Sequence, residues 1–101
     1  MITRHWTGLA KKDKVDEYIA HLKNDTFKQL AKIDGFIDAS ILKRALPEGT
    51  EFLIITKWDS LEAIKQFAGE NYEKAVVPKI AQEMMIQYDE VVKHYEVNYA
   101  L

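Results

Sequence analysis

Among the side chains to weigh as candidates for chemistry are Arg4, His5, Trp6, His21, Trp58, Tyr72 and His94. A histidine titrates near neutral pH, so His94 is a candidate general base, with His5 next in line. Arg4 is a candidate holder of a substrate oxyanion, because a guanidinium offers a fixed fork of donors and stays charged. Its structural alternative is an ion pair with Glu96 on a neighbouring strand. Trp6 and Trp58 read first as core residues and second as the walls of a ligand site. Tyr72, in a connector, is a third candidate wall. His21 reads as solvent-facing and Tyr18 as packed.

Several chemistries have no support. The chain has no cysteine, which removes disulfides and thiolate metal sites. There is no metal-spaced histidine pair, no paired-carboxylate motif and no glycine-rich phosphate loop. No nucleophile stands beside a readable base. The formal net charge is -2 with acids and bases mixed along the chain, so no basic stripe invites nucleic acid. No apolar run is long enough to span a membrane, and no leader pattern follows Met1. The expectation is a cytoplasmic protein.

The elements that must position these residues follow from periodicity. Residues 2–9 alternate apolar and polar side chains, which predicts a strand with Arg4 and Trp6 on one face and His5 on the other. Asp13 is the expected cap of a helix whose apolar face carries Val15, Tyr18, Ile19, Leu22 and Leu30. Asn24-Asp25-Thr26 favours a break in it. Residues 36–46 and 51–58 are predicted strands joined by the Pro47-Glu48-Gly49-Thr50 turn, with Gly49 expected at positive φ. Asp59 and Glu62 suggest a capping box before a helix over 61–68. Pro78 starts a short helix over 79–85, and residues 88–99 form the last strand. The order β-α-β-β-α-β makes residues 1–101 one α+β domain of ferredoxin-like type with an antiparallel sheet.

The third predicted strand is apolar on both faces: Phe52, Ile54 and Trp58 on one, Leu53 and Ile55 on the other. Helices in this arrangement cover one face only. Burial of a large apolar side chain contributes about 1.5–3 kcal/mol, and large apolar patches are rarely left in water. A homodimer, sheet against sheet, is therefore expected.

Residues 51–64, Glu51 through Ile64, with Phe67-Ala68-Gly69, resemble the antibiotic biosynthesis monooxygenase family. Trp6-x-Gly8, the run from Tyr72 to Pro78 and the ending His94-Tyr95-Glu96-Val97 extend the resemblance over nearly the whole chain. It implies a dimeric α+β barrel. It also implies, as one possible activity, oxygenation of a small phenol or quinol without flavin or metal. In that reading His94 is the base, Arg4 binds the oxyanion, and Trp6, Trp58 and Tyr72 line an apolar pocket near Trp58 and Tyr72. Two other readings fit the same family: a non-catalytic barrel that binds a small apolar molecule, and an isomerase, cyclase or lyase in the same cavity. Haem-degrading relatives are a poorer match. Residues 2–9 contain no asparagine, and no histidine lies between Trp58 and His94. Tyr72, Met84 and Met85 remain as conceivable iron ligands, with core packing the expectation for the methionines.

Overall fold

A computed structural model describes residues 1–101. The sheet holds β1 (Ile2–Ala10), β2 (Phe36–Ala45), β3 (Thr50–Trp58), β4 (Met85–Tyr88) and β5 (Lys93–Glu96). Its order is β2-β3-β1, and both β4 and β5 pair antiparallel with the free side of β1. Every strand pairing is antiparallel. The fold is the α+β, ferredoxin-like arrangement expected from the element order.

The single last strand read over residues 88–99 is in fact two short strands with a break between them. The cause is the connector after the second half's helix. Asp89 N–H still donates to Thr7 O of β1, but Ala75 N–H donates to Glu90 O at 2.8 Å and Val92 N–H to Glu73 O at 2.8 Å, so residues 90–92 pair with the connector and not with β1. Met85, read as helical, belongs to β4.

Four helical segments cross the sheet's inner face or flank it. A 3-10 turn (Lys12–Lys14) leads into α1 (Val15–His21). Asp13 lies within that turn, and no side chain caps α1. The break expected at Asn24-Asp25-Thr26 is instead a widened π turn (Leu22–Thr26), which runs into α2 (Phe27–Leu30). Phe27 N–H reaches back to Leu22 O, five residues earlier. The helix thus absorbs its poor formers by loosening one turn.

The hairpin turn at 46–49 closes through Leu46 N–H to Gly49 O at 2.8 Å. Gly49 is not at positive φ, contrary to expectation. Glycine is required there because a Cβ would collide with Ala10 O. At the next helix, α3 (Leu61–Ala68), the cap is Ser60 and not Asp59: Ser60 Oγ accepts from Ala63 N–H at 3.2 Å. Glu62 lies 3.7 Å from Lys65 and makes no bond back to the cap. A last helix, α4 (Lys79–Glu83), follows Pro78.

The alternation read in β3 is observed. Phe52, Ile54, Thr56 and Trp58 are buried beneath the helices, while Leu53, Ile55 and Lys57 lie half-exposed on the opposite face. Leu42 pairs with Leu53 and Tyr95 with Thr3, so both add to that open face. Leu42 and Tyr95 are exposed. The core divides in two. One cluster gathers Tyr18, Leu22, Phe52, Ile54, Met84 and Met85; the other centres on Leu30, Trp58, Ala63 and Ile64. No helix is long and apolar enough to cross a membrane.

Candidate functional site

Between the inner face of the sheet and the α1–α2 segment lies a cavity of about 70 Å³. Its floor is Arg4 and Trp6 of β1 with Ile54 and Thr56 of β3. Tyr18, His21 and Thr26 face it from the helical side, Val77 closes it from the connector and Val92 from the break between β4 and β5. By this measure a single water needs roughly 10–15 Å³, so the space suits a small molecule. Eleven of its sixteen lining residues are hydrophobic, which is the usual character of a ligand site.

Trp6 is placed by its own strand. Residues 6 and 8 share a face of β1, and the indole lies over Gly8, where any Cβ would collide with it. Its Nε1–H donates to Asp89 O at 2.9 Å, which fixes the ring at the start of the strand break.

Arg4 is only 5% exposed. It donates to three acceptors: Nη1 to Tyr72 O and to His94 Nε2 at 3.0 Å, and Nη2 to Lys74 O at 3.1 Å. None of these is an anion, and no carboxylate lies within ion-pair distance of Arg4. The pairing with Glu96 is not made; Glu96 lies opposite Ile2, and the residue opposite Arg4 is His94. Arg4 Nε makes no hydrogen bond, yet no fully buried side-chain nitrogen lacks a partner. Nε therefore keeps access to space. The Phe67 ring lies 5.7 Å from the guanidinium carbon. Burial lowers the Arg4 pKa to about 10, so the group is still a cation at neutral pH.

The other expected site residues fall elsewhere. A guanidinium only donates, so His94 Nε2 accepts from Arg4 and its lone pair is engaged. Burial, and then the Arg4 charge, hold the His94 pKa below its ordinary value. His94 does not line the cavity; it sits with Tyr72 on an outer depression. The Tyr72 ring packs edge-on against His94, with centroids 5.5 Å apart. Trp58 is 0% exposed and belongs to the second core cluster, where its Nε1–H donates to Thr56 Oγ1 at 2.8 Å. The pocket is therefore nearer Trp6 and α1 than Trp58 and Tyr72. His5 bonds Thr3 Oγ1 at 2.9 Å and packs against Tyr95 on the open face, away from the cavity.

His21 is the residue that sequence reasoning misplaced. Its side chain is 10% exposed, not solvent-facing, and lines the cavity. His21 ends α1 one turn after the buried Tyr18, a spacing that puts it at the edge of the helix's apolar face and against the cavity. Only Arg4, Tyr18 and His21 are titratable on the cavity wall. Burial raises the Tyr18 pKa further, so its hydroxyl stays protonated.

The family model for antibiotic biosynthesis monooxygenase matches residues 1–79. This chain belongs to that family. Among solved structures, a candidate antibiotic biosynthesis monooxygenase from Bacillus cereus superposes with a TM-score of 0.67 at 22% identity, covering 99% of this chain and 93% of its own. A conserved protein from Methanosarcina mazei gives 0.68 at 18% identity, with 93% and 89% covered. A monooxygenase from Streptomyces coelicolor, solved in complex with nanaomycin D, gives 0.63 at 14%, with 99% and 89% covered. These likenesses carry the fold. No curated protein matches the sequence.

A haem group fits this monooxygenase-family member poorly. Met84 and Met85 are buried in the core and Tyr72 lies outside the cavity. No cluster of three or more histidine and carboxylate side chains is placed to hold a metal ion.

Proposed function

We propose that the protein is a cofactor-independent monooxygenase acting on a small phenol or quinol bound in the cavity beside Arg4 and Trp6. The observation that carries this reading is Arg4: a buried cation at the wall of an apolar cavity, with neutral partners and an unengaged N–H. A buried charge without a counter-charge is costly. An anionic ligand oxygen would supply the missing charge, and low polarity around it would strengthen the contact.

The chemistry needs little more. Loss of the phenolic proton makes the ring electron-rich enough to pass electrons to dioxygen. A phenol with a free para carbon plus one O2 gives the para-quinone and one water: one oxygen atom ends on carbon, the other in water. Arg4 holds the phenolate, and Trp6 and Ile54 flank the ring and exclude water. The open sheet face of Leu42, Leu53, Ile55 and Tyr95 is covered in this reading by a second copy, giving a homodimer.

The test is oxygen uptake with a panel of single-ring phenols and quinols, with quinone formation followed optically. One O2 consumed per quinone formed supports the reading. Arg4→Gln should lower the rate on the order of 10²-fold, as loss of an oxyanion donor does. Tight binding with no oxygen consumption by any member would assign the cavity to binding alone.

A further inference from the structure

We propose that His21 is the proton acceptor of this cavity, reached through the Thr26 hydroxyl and positioned by Asp25. The ligand class that follows is an ionisable ring or enol hydroxyl held between Thr26 and Arg4. This deepens the proposed function, since it assigns the base of the same site.

The π turn builds the arrangement. In a regular α-helix residues five apart point about 140° away from each other. His21 and Thr26 are five apart, yet both line the cavity, and Thr26 Oγ1 lies 3.4 Å from His21 Nε2. The widened turn, marked by the Phe27 N–H bond to Leu22 O, brings them to one side. Such turns recur at functional sites. The Asp25 carboxylate stands 3.9 Å from His21 Nδ1. Asp25 is itself tethered, because Gln29 Nε2 donates to its other oxygen at 2.8 Å. Tyr18 stacks beside the imidazole with centroids 6.5 Å apart. The tautomer assigned to His21 carries its proton on Nδ1, on the Asp25 side, and turns the Nε2 lone pair to Thr26. His94, the histidine chosen from sequence, has its Nε2 lone pair engaged by Arg4 and lies outside the cavity. His21 is the one histidine on its wall.

The proton step balances without an oxidant. The ligand O–H bond breaks and its proton passes to Thr26 Oγ1. The Thr26 proton passes to His21 Nε2, giving an imidazolium beside the Asp25 carboxylate. The ligand's electron pair stays on oxygen and is delocalised over the conjugated system towards the Arg4 N–H. Thr26 and Arg4 line the same cavity, one from the helical side and one from the floor, so a ring held there lies between them.

The charged and titratable groups around His21 are Asp25 on its own helix, Tyr18 one turn earlier, and Arg4 across the cavity. The experiment uses 4-nitrophenol, whose phenolate absorbs at longer wavelength than the phenol, with 15N-histidine NMR on the same samples. Near neutral pH, binding should convert the probe to phenolate and move the His21 ring nitrogens to the imidazolium pattern. In His21→Gln the phenolate fraction at saturation should fall several-fold. Asp25→Asn should move ligand ionisation to higher pH, a readout that loss of helix stability alone would not shift. If His21 stays neutral in the complex, or His21→Gln forms phenolate as the parent does, the proposal is overturned. The NMR result on the parent protein decides even where the variant does not fold. Proton transfer to His21 without oxygen consumption would leave this assignment standing and remove the oxygenase reading.

Discussion

His94 Nε2 lies 3.0 Å from Arg4 Nη1, directly across the β1–β5 pairing. The contact joins the two residues first chosen as base and oxyanion holder, and makes one the support of the other. An imidazole that accepts from a guanidinium must be neutral. Protonation would put two cations in contact.

That has a pH consequence. The His94 pKa is depressed in the fold, by burial first and Arg4 second. Its unfolded value is about 6.5. Between the two values the unfolded chain binds more protons, so stability is full above about 6.5 and falls as pH drops through the lower folded value. His5 is depressed by burial and adds in the same direction. His94→Gln can still accept from Arg4 through its amide oxygen. Thermal unfolding from pH 8 to pH 5 should show a smaller acid loss in the variant. Equal losses would mean that His94 is protonated as readily folded as unfolded.

Removing the Arg4 side chain should cost more than removing one phenolate contact. In Arg4→Met the carbonyls of Tyr72 and Lys74 lose their donor. Both contacts are part-buried, so water can replace some of the lost bonding and the cost falls towards the low end of the about 1–3 kcal/mol of a buried acceptor. Arg4→Lys should recover the charge but only part of the geometry, because a single ammonium replaces a planar fork. Denaturant unfolding should rank the parent above the lysine variant and the lysine variant above the methionine one. Ligand affinity should follow the same order.

Much of the fold was legible because its signals are local. Alternation in residues 51–58 announced β3 and its two faces, and the element order announced the antiparallel sheet. What escaped depends on context that no local pattern carries. Ser60 and not Asp59 caps α3, because Asp59 N–H is already drawn to Gly35 O at 2.8 Å and sets the chain's entry one residue later. The last strand breaks because residues 73–75 pair with 90–92, a contact between segments far apart in sequence. That Arg4 and Trp6 line one cavity was readable from their shared face on β1. His21 was not, since a histidine at the edge of α1's apolar face suits solvent as well as a cavity; Thr26 was hidden because Asn24-Asp25-Thr26 signals a poor helix whether the chain breaks or widens a turn.

Gly8→Ala tests how Trp6 is held. The new Cβ would overlap the indole, so the ring must tilt or move into the cavity. Overpacking of this kind typically costs about 1–3 kcal/mol. The expected result is a less stable protein with altered Trp6 fluorescence and a ligand affinity reduced at least severalfold. Unchanged affinity together with an unchanged emission spectrum would show that the ring does not depend on Gly8.

The open face of the sheet gives the last prediction. Leu53 and Ile55 lie half-exposed on the face away from the helices, beside the exposed Leu42 and Tyr95. In a lone chain this row would remain in water, although burying each such side chain contributes about 1.5–3 kcal/mol. A second copy placed face to face would bury both rows at once through one two-fold operation. Sedimentation at micromolar concentration should therefore report about twice the 11.7 kDa chain mass. Leu53→Glu or Ile55→Glu would place a carboxylate inside that contact without a partner, which is unfavourable by several kcal/mol for a buried charge. Each should shift the protein to monomer while far-ultraviolet circular dichroism stays near that of the parent, because the residue faces away from the core. A folded monomer of the parent protein under these conditions would mean that the face is left in water or covered by a different partner.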